Sequence, residues 1–140
     1  MSIGEERQVG DVMTRDVATV TEDDNLANLL GTMSTMRFRH VPVVDDGRLV
    51  GLLTERDVLA MSASNLLPKS GEQDRFLKER FRVRDVMVTD LITSRAETPL
   101  SEAAQLMLDK RLGCLPVVDG DNVLVGILTQ SDFVRLAAAG

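Results

Sequence analysis

The spacing of apolar and polar positions predicts two similar amphipathic helices, one in each half of the chain. Apolar residues recur at the spacing of one helix face at Leu26, Leu29, Leu30, Met33 and Met36, and again at Leu100, Ala103, Ala104 and Met107. The pair Thr98-Pro99 predicts where the second of these helices starts, with Thr98 as N-cap and Pro99 in the first helical position.

Short apolar runs between turn-forming residues predict four strands. We expect strands at 41–44 and 49–53 in the first half, and at 115–118 and 123–128 in the second half. Asp45-Asp46-Gly47 and the segment 119–122 have the composition of turns, which suggests a hairpin in each half. A further helix is expected to begin at Thr54 and at Thr129.

The two halves repeat one another. Residues 9–59 (copy one) align with residues 83–134 (copy two) when one residue is inserted, and four motifs recur: Val-x-Asp-Val-Met, a single Arg, Pro-Val-Val-Asp and Gly-x-x-Thr-x-x-Asp. Two copies are too few for a solenoid, so a face-to-face pair is expected. The expected division is a tail at 1–8, repeat 1 at 9–60, a loop and helix at 61–82, and repeat 2 at 83–140.

Composition narrows the classes of function. The chain is 44% hydrophobic and 27% charged, as is usual for a soluble globular protein, and it has four Phe but no Trp or Tyr, so the core should be aliphatic. A net charge of −6 argues against a nucleic-acid partner. The sequence shows no signal-peptide core and no apolar run of about 20 residues, which favours a cytoplasmic protein without a membrane partner. The single Cys114 excludes a disulfide within the chain and argues against a cysteine metal site.

The candidate chemistry lies in the two Gly-x-x-Thr-x-x-Asp segments. Thr54 with Asp57, and Thr129 with Asp132, have the spacing of a capping box that satisfies free backbone N–H groups. The same segments also place a helix N-terminus after a strand, which favours phosphate, beside an acid that can accept ribose hydroxyls. Cationic residues that could pair with phosphate lie just before the strands at 41–44 and 115–118, at Arg37, Arg39, His40 and Arg111. One such motif alone would be a cap more often than a site. The glycine that recurs three residues before each Thr allows close backbone approach at the strand end, and with the other features it favours a binding site.

The order and duplication of these motifs resemble the CBS domain. The resemblance rests on Asp-Val-Met, then Thr19 or Thr93, then Pro-Val-Val-Asp, then Gly-x-x-Thr-x-x-Asp, and it covers the chain except for the tail and the middle segment. It implies an α+β fold in which tandem βαββα repeats pack as a pseudo-twofold Bateman module, and it implies a homodimer. It also implies two clefts for AMP, ADP, ATP or an S-adenosyl compound as a regulatory ligand, with no required cofactor.

The resemblance also assigns site residues, with each cleft drawing on both copies. In the first cleft it groups Ile127, Thr129, Ser131 and Asp132 with Val17, Ala18, Thr19, Phe38, Arg39 and His40. In the second it groups Leu52, Thr54, Arg56 and Asp57 with Leu91, Ile92, Thr93, Leu112, Gly113 and Cys114. The acids would take the ribose hydroxyls, the two Thr of the motif would support sugar or phosphate, and backbone near 17–19 and 92–93 would read the adenine.

The two clefts should differ in their affinity for phosphate. Arg39-His40 of copy one corresponds to Gly113-Cys114 of copy two, and Arg56 corresponds to Ser131. His40 is interpreted equally well as a phosphate contact or as a half-buried strand residue, whereas Cys114 is expected to be a packed apolar residue.

The leading hypothesis is an adenine-nucleotide sensor that transmits its ligand state to an unidentified partner protein and catalyses nothing. The sequence contains no Walker-type loop, no metal-ligand cluster and no triad-like set, so we expect no catalytic residues and no metal site. The alternative hypothesis is a structural dimerisation module whose clefts stay empty.

Overall fold

A computed structural model describes residues 7–25, 39–57 and 81–140. These residues form two compact units. We call residues 7–17, 47–49 and 92–140 the copy-two unit, and residues 18–25, 39–46, 50–57 and 81–91 the copy-one unit. Each unit therefore contains the leading Asp-Val-Met segment of the other copy. The predicted helix from Leu26 to Met36, Phe38 and most of the segment 61–82 lie outside the described residues.

Helices and strands mix along the described chain, which confirms the α+β class. The elements, in chain order, are α1 (Val9–Val12), β1 (His40–Asp45), β2 (Arg48–Thr54), a 3-10 turn (Val83–Asp85), α2 (Leu100–Lys110), β3 (Cys114–Val118), β4 (Leu124–Thr129) and α3 (Gln130–Ala138). A helix also begins at residues 55–57, directly after β2. The four predicted strands and the two helix starts after Thr54 and Thr129 are confirmed to within a residue or two.

Each unit is built on a two-stranded sheet, β1–β2 or β3–β4. The turn between β1 and β2 uses Asp46 and Gly47, whose φ angles of 52° and 81° are those that a two-residue hairpin turn requires. β3 and β4 pair antiparallel with Pro116 opposite Ile127, and the register shifts between Val117 and Val118. Asp119 shapes the second turn, because its Oδ1 accepts the backbone N–H groups of Asp121 and Val123 at 2.9 and 3.0 Å.

The first strand of each expected βαββα unit is reduced to a single bridge. Val20 pairs parallel with Val43 in the copy-one unit, and Ser94 pairs parallel with Val117 in the copy-two unit.

The start of α2 also differs from the expectation. Pro99 is the N-cap, and the hydroxyl of Thr98 instead accepts the backbone N–H of Arg95 at 3.4 Å.

The cores are aliphatic, as the composition predicts. In the copy-two unit the buried cluster joins α1, α2 and the β3–β4 sheet, and it consists of Val9, Met13, Leu100, Ala103, Met107, Leu115, Val117 and Leu128. In the copy-one unit the cluster consists of Val41, Val43, Leu53 and Val83. No helix among the described residues is long and apolar enough to cross a bilayer.

The recurring glycines admit the Asp-Val-Met segments to the sheets. A Cβ on Gly126 would lie 2.7 Å from the Met13 Sδ and 2.9 Å from the Thr14 carbonyl oxygen. A Cβ on Gly51 would lie 2.7 Å from the Met87 Sδ and 3.2 Å from the Val88 carbonyl oxygen. The space that each glycine leaves is therefore occupied by the backbone and Met side chain of an Asp-Val-Met segment. Both glycines lie on the strand that leads into a Thr-x-x-Asp helix start.

Candidate functional site

A pocket of about 420 Å³ lies in the copy-one unit, where β2 passes into the helix at residues 55–57. It is lined by Arg39, His40, Thr54, Glu55 and Arg56. The backbone N–H of Glu55 donates to the Arg39 carbonyl at 3.0 Å, which ties the start of β1 to the start of the helix. The volume falls within the range of about 300–1,000 Å³ that is usual for small-molecule pockets.

The lining of this pocket carries two guanidinium groups and one imidazole against one acid. Arg39 and Arg56 are exposed, and His40 is half-buried. Burial lowers the pKa of His40 from its ordinary value, and the neighbouring Arg39 guanidinium lowers it further. An anion in the pocket would therefore pair with guanidinium groups that are already accessible.

Asp57 directly follows Arg56 of the pocket lining and lies three residues after Thr54. The Thr54 hydroxyl donates to its Oδ2, and the backbone N–H of Asp57 donates to the Thr54 hydroxyl at 3.1 Å. Thr54 is the one donor to this carboxylate among the residues that the structure describes. An ionised carboxylate has about four acceptor positions, so the described donors leave room on Asp57 for further hydroxyl groups.

The corresponding acid of copy two, Asp132, has a different environment. It is 2% exposed, and together with Thr129 it forms the capping box at the start of α3. Its Oδ2 accepts the backbone N–H of Thr129 at 2.8 Å, and its Oδ1 accepts the Thr14 hydroxyl at 2.8 Å and the Arg135 guanidinium. The capping interpretation is therefore confirmed for Asp132.

The copy-two counterparts of the pocket residues carry no cation. Gly113 and Cys114 stand where copy one has Arg39 and His40, and Ser131 stands in place of Arg56. Cys114 is buried, and burial raises the pKa of its thiol to about 12. The expectation that Cys114 is a packed apolar residue is confirmed.

The remaining predicted site residues fall into both units. In the copy-one unit Leu52 pairs with Val88, Ala18 and Thr19 are exposed, and Leu91 is half-buried. In the copy-two unit Ile127 is buried opposite Thr14, whereas Ile92, Thr93, Leu112 and Gly113 are exposed or half-buried, as is Val17. Thr93 lines a smaller cavity of about 160 Å³ beside α2. The division into two clefts that each draw on both copies stays a prediction.

The structure brings together residues that the resemblance assigns to different clefts. Arg39 and His40 share one pocket with Thr54 and Arg56. The sequence interpretation also misses three residues of these environments: Glu55 in the pocket, and Thr14 and Arg135 at Asp132. The repeat alignment distinguishes the last two, because the apolar residues Val88 and Ala60 stand at the positions that correspond to the hydrogen-bond donors Thr14 and Arg135.

Fold and site together define a class: a duplicated α+β protein with two Thr-x-x-Asp helix starts and a cationic pocket at the first. The profile of the CBS domain matches residues 9–64 and 83–139. The chain belongs to the CBS domain family and carries two CBS repeats.

Relatives and solved structures agree with this membership. The uncharacterised protein MJ1225 of Methanocaldococcus jannaschii is 31% identical over 137 residues, which cover 97% of this chain. The chain spans about half of that relative, 49% of its length. CBSX2 in complex with AMP has a similar structure, with a TM-score of 0.79, 30% identity, and coverage of 95% of this chain and 97% of that one. The cytosolic domain of the Mg²⁺ channel MgtE in complex with ATP has a TM-score of 0.72 and 29% identity, with coverage of 94% and 49%.

Proposed function

We propose that this chain is a regulatory module that binds an adenine nucleotide in the copy-one pocket and transmits its ligand state to a partner protein without catalysing a reaction. The observation that carries the proposal is the pocket itself. Two exposed guanidinium groups and His40 face the helix start that holds Thr54 and, one turn on, Asp57.

The side chains of the pocket, together with the adjacent Asp57, match the parts of a nucleotide. Arg39 and Arg56 offer bidentate donors to phosphate oxygens. Asp57 has acceptor capacity for the hydroxyls of a ribose. CBSX2 with AMP and the MgtE domain with ATP support an adenine nucleotide as the ligand class.

A thermal-shift screen with AMP, ADP, ATP and S-adenosylmethionine tests this proposal. A ligand at 100 times its Kd adds about 2.7 kcal/mol to the free energy of unfolding, which raises the Tm of a domain of this size by roughly 5–10 °C. We expect an adenine nucleotide to give this shift in the wild type. The shift should be lost in Asp57→Ala and strongly reduced in Arg39→Ala/Arg56→Ala.

Lys110→Ala is the matched control, because it removes one exposed cation at the end of α2, outside the pocket. It should keep the full shift. If no adenine compound changes the Tm, or if Asp57→Ala responds like the wild type, the proposal is wrong and a structural role with empty clefts is favoured. Recovery of the nucleotide unchanged after incubation tests the absence of catalysis.

A further inference from the structure

The carboxylate of Asp132 is fully engaged within the copy-two unit. Its Oδ1 accepts the Thr14 hydroxyl at 2.8 Å and the Arg135 guanidinium. Its Oδ2 accepts the backbone N–H of Thr129 at 2.8 Å and the Thr129 hydroxyl at 3.3 Å. These described donors match the roughly four acceptor positions of an ionised carboxylate. A ligand hydroxyl can bind Asp132 only after one of them has left.

The donors differ in how easily they can leave. Thr129 is the N-cap of α3, so its bonds are part of the helix start. Thr14 is fixed by two backbone hydrogen bonds of 2.9 Å with Ile127. The Arg135 side chain is 65% exposed, whereas that of Asp132 is 1% exposed. Arg135 is therefore the donor that can turn away without breaking any backbone pairing.

The duplication supplies an internal comparison. Positions 14 and 135 correspond to Val88 and Ala60 in the other copy, and neither of these side chains is a hydrogen-bond donor. Asp57 accordingly accepts from Thr54 and, within the described part of the chain, from no second residue. Among the described residues, therefore, the acid of copy two has four donors and the acid of copy one has a single donor.

We propose that Arg135, with Thr14, acts as an internal competitor that keeps Asp132 closed to the hydroxyls of a nucleoside and limits the chain to one bound nucleotide. This inference rests on the proposed function, because it concerns the second copy of the same motif. Arg135 is a specificity-determining residue in this account. Its removal leaves Asp132 with the Thr14 and Thr129 donors, so the fold is retained.

Nucleotide stoichiometry in the full chain tests the inference, with AMP as the probe and calorimetry as the readout. We expect one AMP per chain in the wild type and two in Arg135→Ala. We expect none in Asp57→Ala and one in Asp57→Ala/Arg135→Ala, now at the copy-two acid. The affinity of this second site should rise about ten- to a hundredfold over its wild-type level, the worth of one hydrogen bond to a charged group. It should stay below the affinity of the copy-one pocket, because Gly113 and Ser131 stand in place of Arg39 and Arg56.

Two further variants sharpen the comparison. Thr14→Val copies Val88 of the other repeat, and in the Asp57→Ala background it should also raise the affinity at Asp132. Lys110→Ala in the same background removes a cation elsewhere in the copy-two unit and should restore no binding. The Tm of each variant without ligand confirms that it is folded.

The possible results separate this inference from the proposed function. If the wild type binds one AMP through Asp57 but Asp57→Ala/Arg135→Ala binds none, the inference is overturned and the proposed function stands. Two bound AMP in the wild type would also overturn it. If neither the wild type nor Arg135→Ala binds AMP, ADP, ATP or S-adenosylmethionine, both are wrong.

Discussion

His40 combines burial with a positively charged neighbour, Arg39. It lies at the start of β1, half-buried in the copy-one pocket, and both its burial and the adjacent Arg39 lower its pKa. The imidazole is the only one in the chain, so its titration can be followed without overlap. A bound anion in the pocket would oppose both causes by offering the protonated ring a counter-charge.

The lowered pKa of His40 predicts a loss of stability on acidification. The folded-state pKa lies below the unfolded value near 6.5, so unfolded chains take up this proton first as the pH falls. The contribution of neutral His40 to the free energy of unfolding is complete above the unfolded pKa. It is lost as the pH falls through the folded pKa. We expect the Tm of the wild type to drop between about pH 7.5 and pH 5 by more than that of His40→Gln. Equal slopes in the two proteins would contradict this assignment.

Single residues were predictable from the sequence where their environment is local. Asp132 as a capping acid follows from the Thr-x-x-Asp spacing, and Cys114 as a buried thiol follows from the apolar run around it. The Arg135 and Thr14 contacts to Asp132 were missed. Arg135 could have been found from its spacing on the helix. The repeat alignment marks Thr14 as a polar residue aligned with Val88, but its contact with Asp132 depends on tertiary folding, since the two lie 118 positions apart.

At the scale of elements, glycine decides how closely each leading segment approaches its sheet. Gly126 on β4 faces Met13 and the Thr14 carbonyl, and Gly51 on β2 faces Met87. The Met sulfur at each position belongs to a flexible side chain that can move. The Thr14 carbonyl at 2.9 Å cannot move without breaking its backbone pairing with Ile127.

Alanine substitutions at three glycines should therefore differ in cost. We expect Gly126→Ala to lower the free energy of unfolding by about 1–3 kcal/mol through overpacking, and Gly51→Ala to cost less. Gly120→Ala is the control, because its Cβ would meet nothing closer than the Arg95 Nη1 at 3.8 Å, and it should stay within about 0.5 kcal/mol of the wild type. Urea denaturation measures all three. A Gly126→Ala protein as stable as Gly120→Ala would refute the close approach.

Element types were predictable from the sequence because periodicity and turn chemistry are local signals. The strands and the helix starts after Thr54 and Thr129 agree with that pattern. The first strand of each repeat was not predictable in length, because Val20 and Ser94 each pair at one position with a neighbouring strand. Propensity favours extended backbone there, but the number of paired residues depends on the partner strand.

At the scale of the whole molecule, the leading segments are exchanged between the copies. Val9 and Met13 belong to the core of the copy-two unit, and Val83 to that of the copy-one unit. The sequence could not reveal this exchange. Both copies have Val, Met and Gly at the same aligned positions, so an apolar segment fits either sheet equally well by type.

Duplication has also left two sites that differ in charge and in acceptor capacity. The copy-one pocket has Arg39, His40 and Arg56 around its helix start, and its acid accepts from Thr54. In copy two the acid is engaged by Thr14, Thr129 and Arg135. The charge difference was predictable from the aligned residues, whereas the engagement of Asp132 required the structure. The central claim is that nucleotide binds at the copy-one pocket.

The NMR signal of the His40 ring, followed during titration with AMP, tests this claim most directly, because the only imidazole of the chain lines the pocket. We predict a saturating shift that ends near one equivalent, gives the same Kd as calorimetry and disappears in Asp57→Ala. Heat of AMP binding with an unchanged His40 signal would place the nucleotide elsewhere and contradict the account.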